Sequence, residues 1–463
     1  MRRETLKRYA SGQVPRYTSY PTAPHFSPAV DEPVYRAWLA ALPQDTCLSL
    51  YLHIPFCRSM CWYCACHTTV TARAAPITRY VAALEREIEL VAAALPGRMA
   101  ARHVHLGGGS PTLMAPDEFL RLLATLNANF LLQQDAELAI EIDPRTLEGP
   151  MIAALAKGGI SRASIGVQCF DPVVQRAINR SQSFEMTEAA VQALRWHGIE
   201  RINFDLIYGL PGQTIASCLD TVDKAVSLGP DRIAIFGYAH VPGFKLHQRR
   251  IDEAMLPDCS ARMEQSRAMA EALVRVGYRQ IGLDHFARPG DPLATAAESG
   301  ALHRNFQGYT IDDCPALIGL GSSSIGRLGG GYIQNVVLIS EYQKRVMEGR
   351  LPVYRGFAVS QDDRVRAALI ERLMCDYKVD LAQVCAQFGA APAEFEGLPG
   401  LDALAADGLI ERHGSMIEVA DDARPLVRSV AAAFDAYLGE SGARHSSAAR
   451  IRADRSPRQP HFE

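Results

Sequence analysis

Residues 47–67 read CLSLYLHIPFCRSMCWYCACH, a short apolar run that breaks at Pro55 and leads into four cysteines within ten residues. The run is β-rich and apolar on both faces, as a strand of a covered parallel sheet must be. The same phrase recurs as HVHLGGG (103–109), ELAIEID (137–143), RASIGVQ (162–168), RINFDLIYG (201–209) and RIAIFGYA (232–239). Helix-length amphipathic stretches separate these runs, among them 77–95, 116–130 and 184–198. Alternation at this spacing predicts right-handed βαβ units, and six in a row predict an α/β fold, a partial (β/α)6 barrel. Cys57 onward, Gly107–Ser110, Glu141, Gln168, Asp205 and Ala239 then fall at or just past the C-terminal ends of strands. That rim is where such folds assemble chemistry.

Working outward, residues 1–46 read as an N-terminal arm, extended and outside the core, that contributes to a substrate site. Residues 47–350 form the barrel with a strand and loop extension, including a strand-like run followed by glycines at 317–335. A composition change near 350–360 opens a small, mostly helical, winged-helix-like domain over 351–440. It has helices at 365–375 and 381–388, a hairpin through His413-Gly414 and a last helix over 423–438. Residues 441–463 are Ser-, Arg- and Pro-rich and read as a disordered tail.

The 463 residues carry a formal net charge of -3, which argues against a nucleic-acid protein with a wholly basic surface. No apolar run approaches the ~18 residues of a membrane span, and the basic N-terminus has no apolar stretch behind it. The expected location is the cytoplasm, where thiols stay reduced. Of eleven cysteines, seven are isolated and read as small buried hydrophobes.

Cys57, Cys61 and Cys64 need a chemical reason. Three thiolates on one short loop can hold three corners of a cuboidal iron–sulfur cluster, leaving one iron open. Zinc would want a fourth ligand, for which Cys66 or His67 is available, but no second cysteine pair appears. A simple electron carrier would want a fourth cysteine, and Cys66 stands only two residues beyond Cys64. All three readings stay open on spacing alone.

The C-x3-C-x2-C spacing after a first strand resembles the radical S-adenosylmethionine superfamily. The fuller pattern resembles the oxygen-independent coproporphyrinogen III oxidase family, in YLHIPFC, PRYTSYPTAPHF, HLGGGSPT, IEIDPR, NFDLIYGLPGQT, DHFARP and LHRNFQGYT. The likeness runs over roughly residues 14–440. It implies one [4Fe-4S] cluster on Cys57, Cys61 and Cys64 and two molecules of S-adenosylmethionine. The first would meet Tyr51, Gly108 and Ile325; the second would meet Tyr63, Gly109, Ser110, Gln168, Arg180, Asp205 and Ala239; Glu141 would accept from a ribose hydroxyl. Tyr51, His53 and Cys66 are the catalytic candidates, with Cys66 a non-ligating neighbour of the second molecule. The implied reaction uses a 5′-deoxyadenosyl radical to decarboxylate two propionates of coproporphyrinogen III to vinyls, giving protoporphyrinogen IX in haem biosynthesis. A low-potential donor of the flavodoxin or ferredoxin kind is implied, with no nucleic acid, no membrane and a monomeric chain.

Arg16, Arg288 and Arg304 are the expected clamps for substrate carboxylates, because arginine offers a bidentate fork. Each candidate also has a plain structural reading: a tight turn for the glycines, a cap for the carboxylates, a core residue for His53. Three rival functions stand beside the oxidase: a haem chaperone, a radical methyltransferase and a metal-bearing DNA-binding regulator.

Overall fold

In the computed structural model, residues 14–439 are described together with 5, 8, 9 and 12. The expected tail, 441–463, lies outside the described residues.

Six strands form the parallel heart of the molecule: β1 (Leu48–Ile54), β2 (Ala100–Gly108), β3 (Leu131–Ile142), β4 (Arg162–Gln168), β5 (Arg201–Tyr208) and β6 (Arg232–Gly237). They pair in chain order, and helices such as Ala75–Ala94, Pro116–Asn129 and Ile215–Ser227 return the chain between them. Leu50, Leu52 and Ile54 of β1, Val104 and Leu106 of β2, and Ile140 of β3 are buried together with residues of the covering helices, among them Leu84 and Leu122. This is the expected six-unit partial barrel.

The sheet does not stop at six strands. It continues beyond β1 through Ala316–Leu320, Ile325–Leu328, Gly331–Asn335 and Val353–Ala358, and beyond β6 through His285–Ala287 and Arg279–Ile281. The run at 317–335 is therefore three strands in tight succession. The last edge strand, 353–358, lies beyond the expected boundary at 350 and yet belongs to the barrel sheet.

Two expectations are corrected by packing. The N-terminal segment is not an extended arm outside the core. Asp31 caps a helix, Glu32–Ala40, whose Tyr35 and Leu39 enter the barrel core. Tyr17 and Tyr20 enter the core of the C-terminal domain, where the Tyr17 hydroxyl donates to Asp435 Oδ2 at 3.0 Å. The last helix, expected over 423–438, is broken. Pro425 removes a donor, so Asp421–Leu426 winds as a 3-10 turn and only Val427–Ala431 is α-helical. The rest of that domain is a three-stranded sheet against the long helix Gln361–Asp376 and shorter ones, with strands Ile410–His413 and Met416–Val419 joined through Gly414 at φ 62°.

Candidate functional site

Pro55 ends β1 and throws the chain across the barrel mouth. The loop is then fastened from several sides. Asn179 Nδ2 donates to the Met60 carbonyl at 2.8 Å, His247 Nε2 to Cys64 O at 2.8 Å, and Gln248 Nε2 to Tyr63 O at 3.0 Å. Donors also converge on the sulfurs. Arg145 Nη2 and Arg180 Nη1 lie 3.4 and 3.5 Å from Cys61 Sγ, and Thr68 Oγ1 lies 3.1 Å from Cys57 Sγ. Asp143 joins the two arginines, 2.6 Å from Arg145 and 3.5 Å from Arg180. Burial opposes charge on Asp143, but these partners still bring its carboxyl below the usual range.

This donor set fits iron–sulfur ligation, because cluster thiolates need hydrogen bonds and counter-charge from the surrounding shell. It fits a single zinc ion poorly. Among the described residues, one trio of potential ligands has all its donor atoms within 4.8 Å of one another, and it lies elsewhere. The cysteine sulfurs stand farther apart than the ligands of one ion would. Cys66 is exposed and hydrogen-bonds Cys64, which brings the Cys64 thiol down to about 7 while Cys66 is pushed up.

Behind the loop, Tyr51, His53, His105 and Glu141 form one connected group. His53 Nε2 donates to His67 O at 3.0 Å, which leaves Nδ1 to accept from the Tyr51 hydroxyl at 3.0 Å. Burial holds His53 neutral, with its pKa at about 4. Both ring nitrogens are thus used within the protein, and His53 orients Tyr51. The Tyr51 ring stacks on His105 at 5.8 Å, and His105 Nε2 lies 3.3 Å from Glu141 Oε1. Glu141 is opposed by burial, yet His105 and the Gly108 N–H, 2.9 Å from Oε2, keep its carboxyl below the usual range.

The glycine triplet has an internal cause. A side chain at Gly107 would collide with the Glu141 carboxylate, one at Gly108 with the His53 ring, and one at Gly109 with the Phe56 carbonyl. Gly108 also has φ 110°, which excludes a side chain on backbone grounds. Ser110 is buried, with Oγ 3.9 Å from Cys57 Sγ.

The other expected contacts divide. Gln168 sits on the rim at φ 68°, a strained value for a residue with a side chain. Asp205 lies within β5, short of its end, and burial with Glu141 nearby pushes it up to about 7. Ala239 is half-buried and its carbonyl accepts from Gln248 at 3.2 Å. Ile325 is half-buried, its backbone 2.7 Å from where a Gly319 side chain would stand, and Gly319 pairs with Tyr51. Tyr63 packs with Trp62 against Cys169, Val174, Ile178 and Tyr238. Arg180 points to Cys61, Asp143 and, at 2.7 Å, the Gly166 carbonyl.

A cavity of about 2390 Å³ opens beside Cys66, lined by Arg16, Arg262, Arg304, Tyr208, His285 and Phe306. It is far larger than the roughly 300–1,000 Å³ of an ordinary small-ligand pocket. Arg304 lies over the Tyr309 ring at 4.4 Å, and its Nε and Nη1 have no hydrogen-bond partner. Arg288 is a correction. It is exposed at the opposite end of the barrel, its N–H on the Asp231 carbonyl at 3.0 Å, because its strand runs antiparallel to β6. Arg262 was not anticipated from sequence: it donates to Tyr238 O at 2.6 Å and leaves Nε without a partner. Asp143, Arg145 and Asn179 were likewise missed as cluster-loop partners, although DPR lies inside a motif already singled out and Asn179 immediately precedes Arg180.

A family model described as the Radical SAM superfamily matches residues 51–225, and one for the HemN C-terminal domain matches 359–426. The chain is 52% identical over 449 residues to the oxygen-independent coproporphyrinogen III oxidase of Bradyrhizobium diazoefficiens, spanning 97% of this chain and 100% of that one. It is 44% identical over 429 residues to the same-named protein of Cereibacter sphaeroides, spanning 92% and 94%. The solved coproporphyrinogen III oxidase HemN of Escherichia coli, a radical SAM enzyme, is similar at TM-score 0.88 and 39% identity, over 91% of this chain and 98% of that one.

Proposed function

The chain belongs to the oxygen-independent coproporphyrinogen III oxidase family of radical SAM enzymes, and from that premise we propose that it oxidatively decarboxylates two propionates of coproporphyrinogen III to vinyl groups. The observation that carries the reading is one juxtaposition: a loop of three cysteines, with cations aimed at its sulfurs, beside a large arginine-lined cavity.

Cys57, Cys61 and Cys64 would hold the [4Fe-4S] cluster, which with bound S-adenosylmethionine supplies a 5′-deoxyadenosyl radical. Arg145, Arg180 and Thr68 offset thiolate charge at Cys61 and Cys57. Glu141, held ionised by His105 and Gly108, offers a carboxylate for a ribose hydroxyl, and His53 orients Tyr51 beside it. A second S-adenosylmethionine would lie toward Gln168, Asp205 and Ala239, with Cys66 nearby; the strained Gln168 supports a ligand there. Arg304, Arg262 and Arg16 line the cavity as cations for substrate carboxylates, the first two with unpartnered nitrogens.

An external one-electron donor would approach the outer side of the cysteine loop. Residues 245–250, KLHQRR, lie there, with Lys245 Nζ 3.0 Å from Cys66 O and Arg250 over Trp62 at 5.9 Å. Phe244 and Leu246 beside them are 70% and 63% exposed. A basic rim with exposed apolar residues, on a chain of net charge -3, suits a small acidic carrier.

Anaerobic incubation with coproporphyrinogen III, S-adenosylmethionine and a reductant, followed by product mass analysis, tests the reading. Loss of two carbon dioxides per substrate is expected, and Cys57→Ser is expected to remove both the cluster's visible absorption and this product. Methylated product, or full activity in a Cys57→Ser chain, would overturn it.

A further inference from the structure

The end of the barrel away from the cysteine loop carries a second set of soft ligands. Cys47 immediately precedes β1, His103 lies early in β2, and Asp312 and Cys314 lead into the strand Ala316–Leu320. These three strands are adjacent and parallel, with Leu48 paired to Ala316 and Ser49 to His103, so the register brings all four residues to one end. The donor atoms of His103, Asp312 and Cys314 all lie within 4.8 Å of one another. His103 Nε2 is 3.8 Å from Asp312 Oδ1, and Cys47 stands near enough to the Cys314 thiol to help burial push its ionisation up. The site is sheltered: side-chain exposure is 18% for His103 and 11% for Asp312, and Cys314 is buried.

We propose that Cys47, His103, Asp312 and Cys314 form a closed, structural zinc site that clasps β1, β2 and the strand after Cys314. Two thiolates, an imidazole and a carboxylate are the donor types zinc takes in four-coordinate sites; magnesium and calcium would want oxygens. Zinc-bound donors stand about 3.3–3.8 Å apart, given bond lengths of ~2.0–2.3 Å. His103, Asp312 and Cys314 therefore need only a small inward movement, and the Cys47 side chain a larger one. Asp312 is already aimed by its neighbours: Oδ1 accepts from Cys314 N at 3.0 Å and Oδ2 from Ser49 Oγ at 2.5 Å. Nearby cations leave room for the ion. Arg102, 4.0 Å from Cys314 Sγ, is ion-paired to Asp313, and Arg327 donates to the Cys314 carbonyl at 3.2 Å.

The same segment continues back into the hairpin His303–Asn305/Gly308–Thr310, which carries Arg304 to the cavity. Zinc would thus anchor one root of that hairpin.

The test uses the full-length, cluster-replete chain purified under reducing conditions from zinc-supplemented cells. About one zinc per chain is expected besides the cluster iron, and Co2+ exchanged into the site should give the intense visible bands of tetrahedral thiolate ligation. Cys314→Ser and His103→Ala should each lose the zinc while keeping cluster iron and S-adenosylmethionine cleavage. His103→Ala, a half-buried position, guards against a Cys314 variant that fails to fold. Wild-type chain that takes up neither Zn2+ nor Co2+ after thiol reduction, or zinc that persists in both variants, would overturn the proposal. So would a Cys47–Cys314 disulfide as the stable form in the reduced preparation.

Discussion

The two ends of the barrel both bury charge and use it differently. At the N-terminal end, buried charges pair with one another. Arg162, 2% exposed, donates to Glu137 at 3.1 Å and to Asn203 at 3.0 Å, and Arg232 donates to Asp291 at 2.8 Å. At the C-terminal rim, cations point at sulfur or at open space. Arg145 and Arg180 share the single carboxylate of Asp143 and face Cys61 as well, and Arg304 reaches the cavity with no ion pair among the described residues. Buried ion pairs that close on themselves hold strands in register. Buried cations that outnumber their carboxylates or lack an ion pair mark where a ligand completes the structure.

The sharpest way to break this contrast is to remove Arg162. Arg162→Met takes a counter-charge from Glu137 and Asp291 in the interior, and unfolding titrations should show a loss of about 3–5 kcal/mol. S-adenosylmethionine cleavage per folded molecule should stay near wild type. A large catalytic loss in the folded fraction would mean that the two ends are not separable.

A second probe sits on the rim side. Native His53 stays neutral down to about 4, whereas in the unfolded chain it takes a proton near the ordinary ~6.5. Between those values the unfolded state binds more protons, so stability falls as pH drops from about 6.5 to 4, by up to roughly 3 kcal/mol. His53→Gln should flatten that acid limb, measured by urea unfolding across pH, and should also raise the S-adenosylmethionine KM by loosening Tyr51.

The smallest effects come from the arginine pair. Arg304→Met should raise the coproporphyrinogen KM roughly 10- to 100-fold, the cost of losing a charged hydrogen bond. Arg288→Met, on the far end, should leave KM within about twofold, as an exposed side chain remote from the cavity should. Equal effects at both positions would contradict the assignment of the cavity as the substrate site.

Legibility followed distance along the chain. The βα rhythm put five of the six strands within a few residues of where they lie, because burial on both faces forces continuous apolar runs; β3 starts at Leu131, six residues early, where its residues are largely exposed. The C-x3-C-x2-C spacing pointed to the cysteine loop, since convergence of three sulfurs is a local problem. The short strands at 325–328, 331–335 and 353–358 were less visible, as glycines there break the apolar pattern. Arg288 and Arg304 look alike in sequence, and both stand in family-like segments. Only the strand directions put one at each end of the barrel.

The sequence by itself determined the fold class, the cofactor loop and the family, because each depends on local periodicity or on residues near one another in the chain. The tertiary structure decided which charges are spent on each other and which remain for ligands. It also decided that Gly107–Gly109 are bare because Glu141, His53 and Phe56 occupy the space, and that Cys47, His103, Asp312 and Cys314 share one corner. Those facts depend on strand order and register, which bring residues far apart in the chain within a few ångströms.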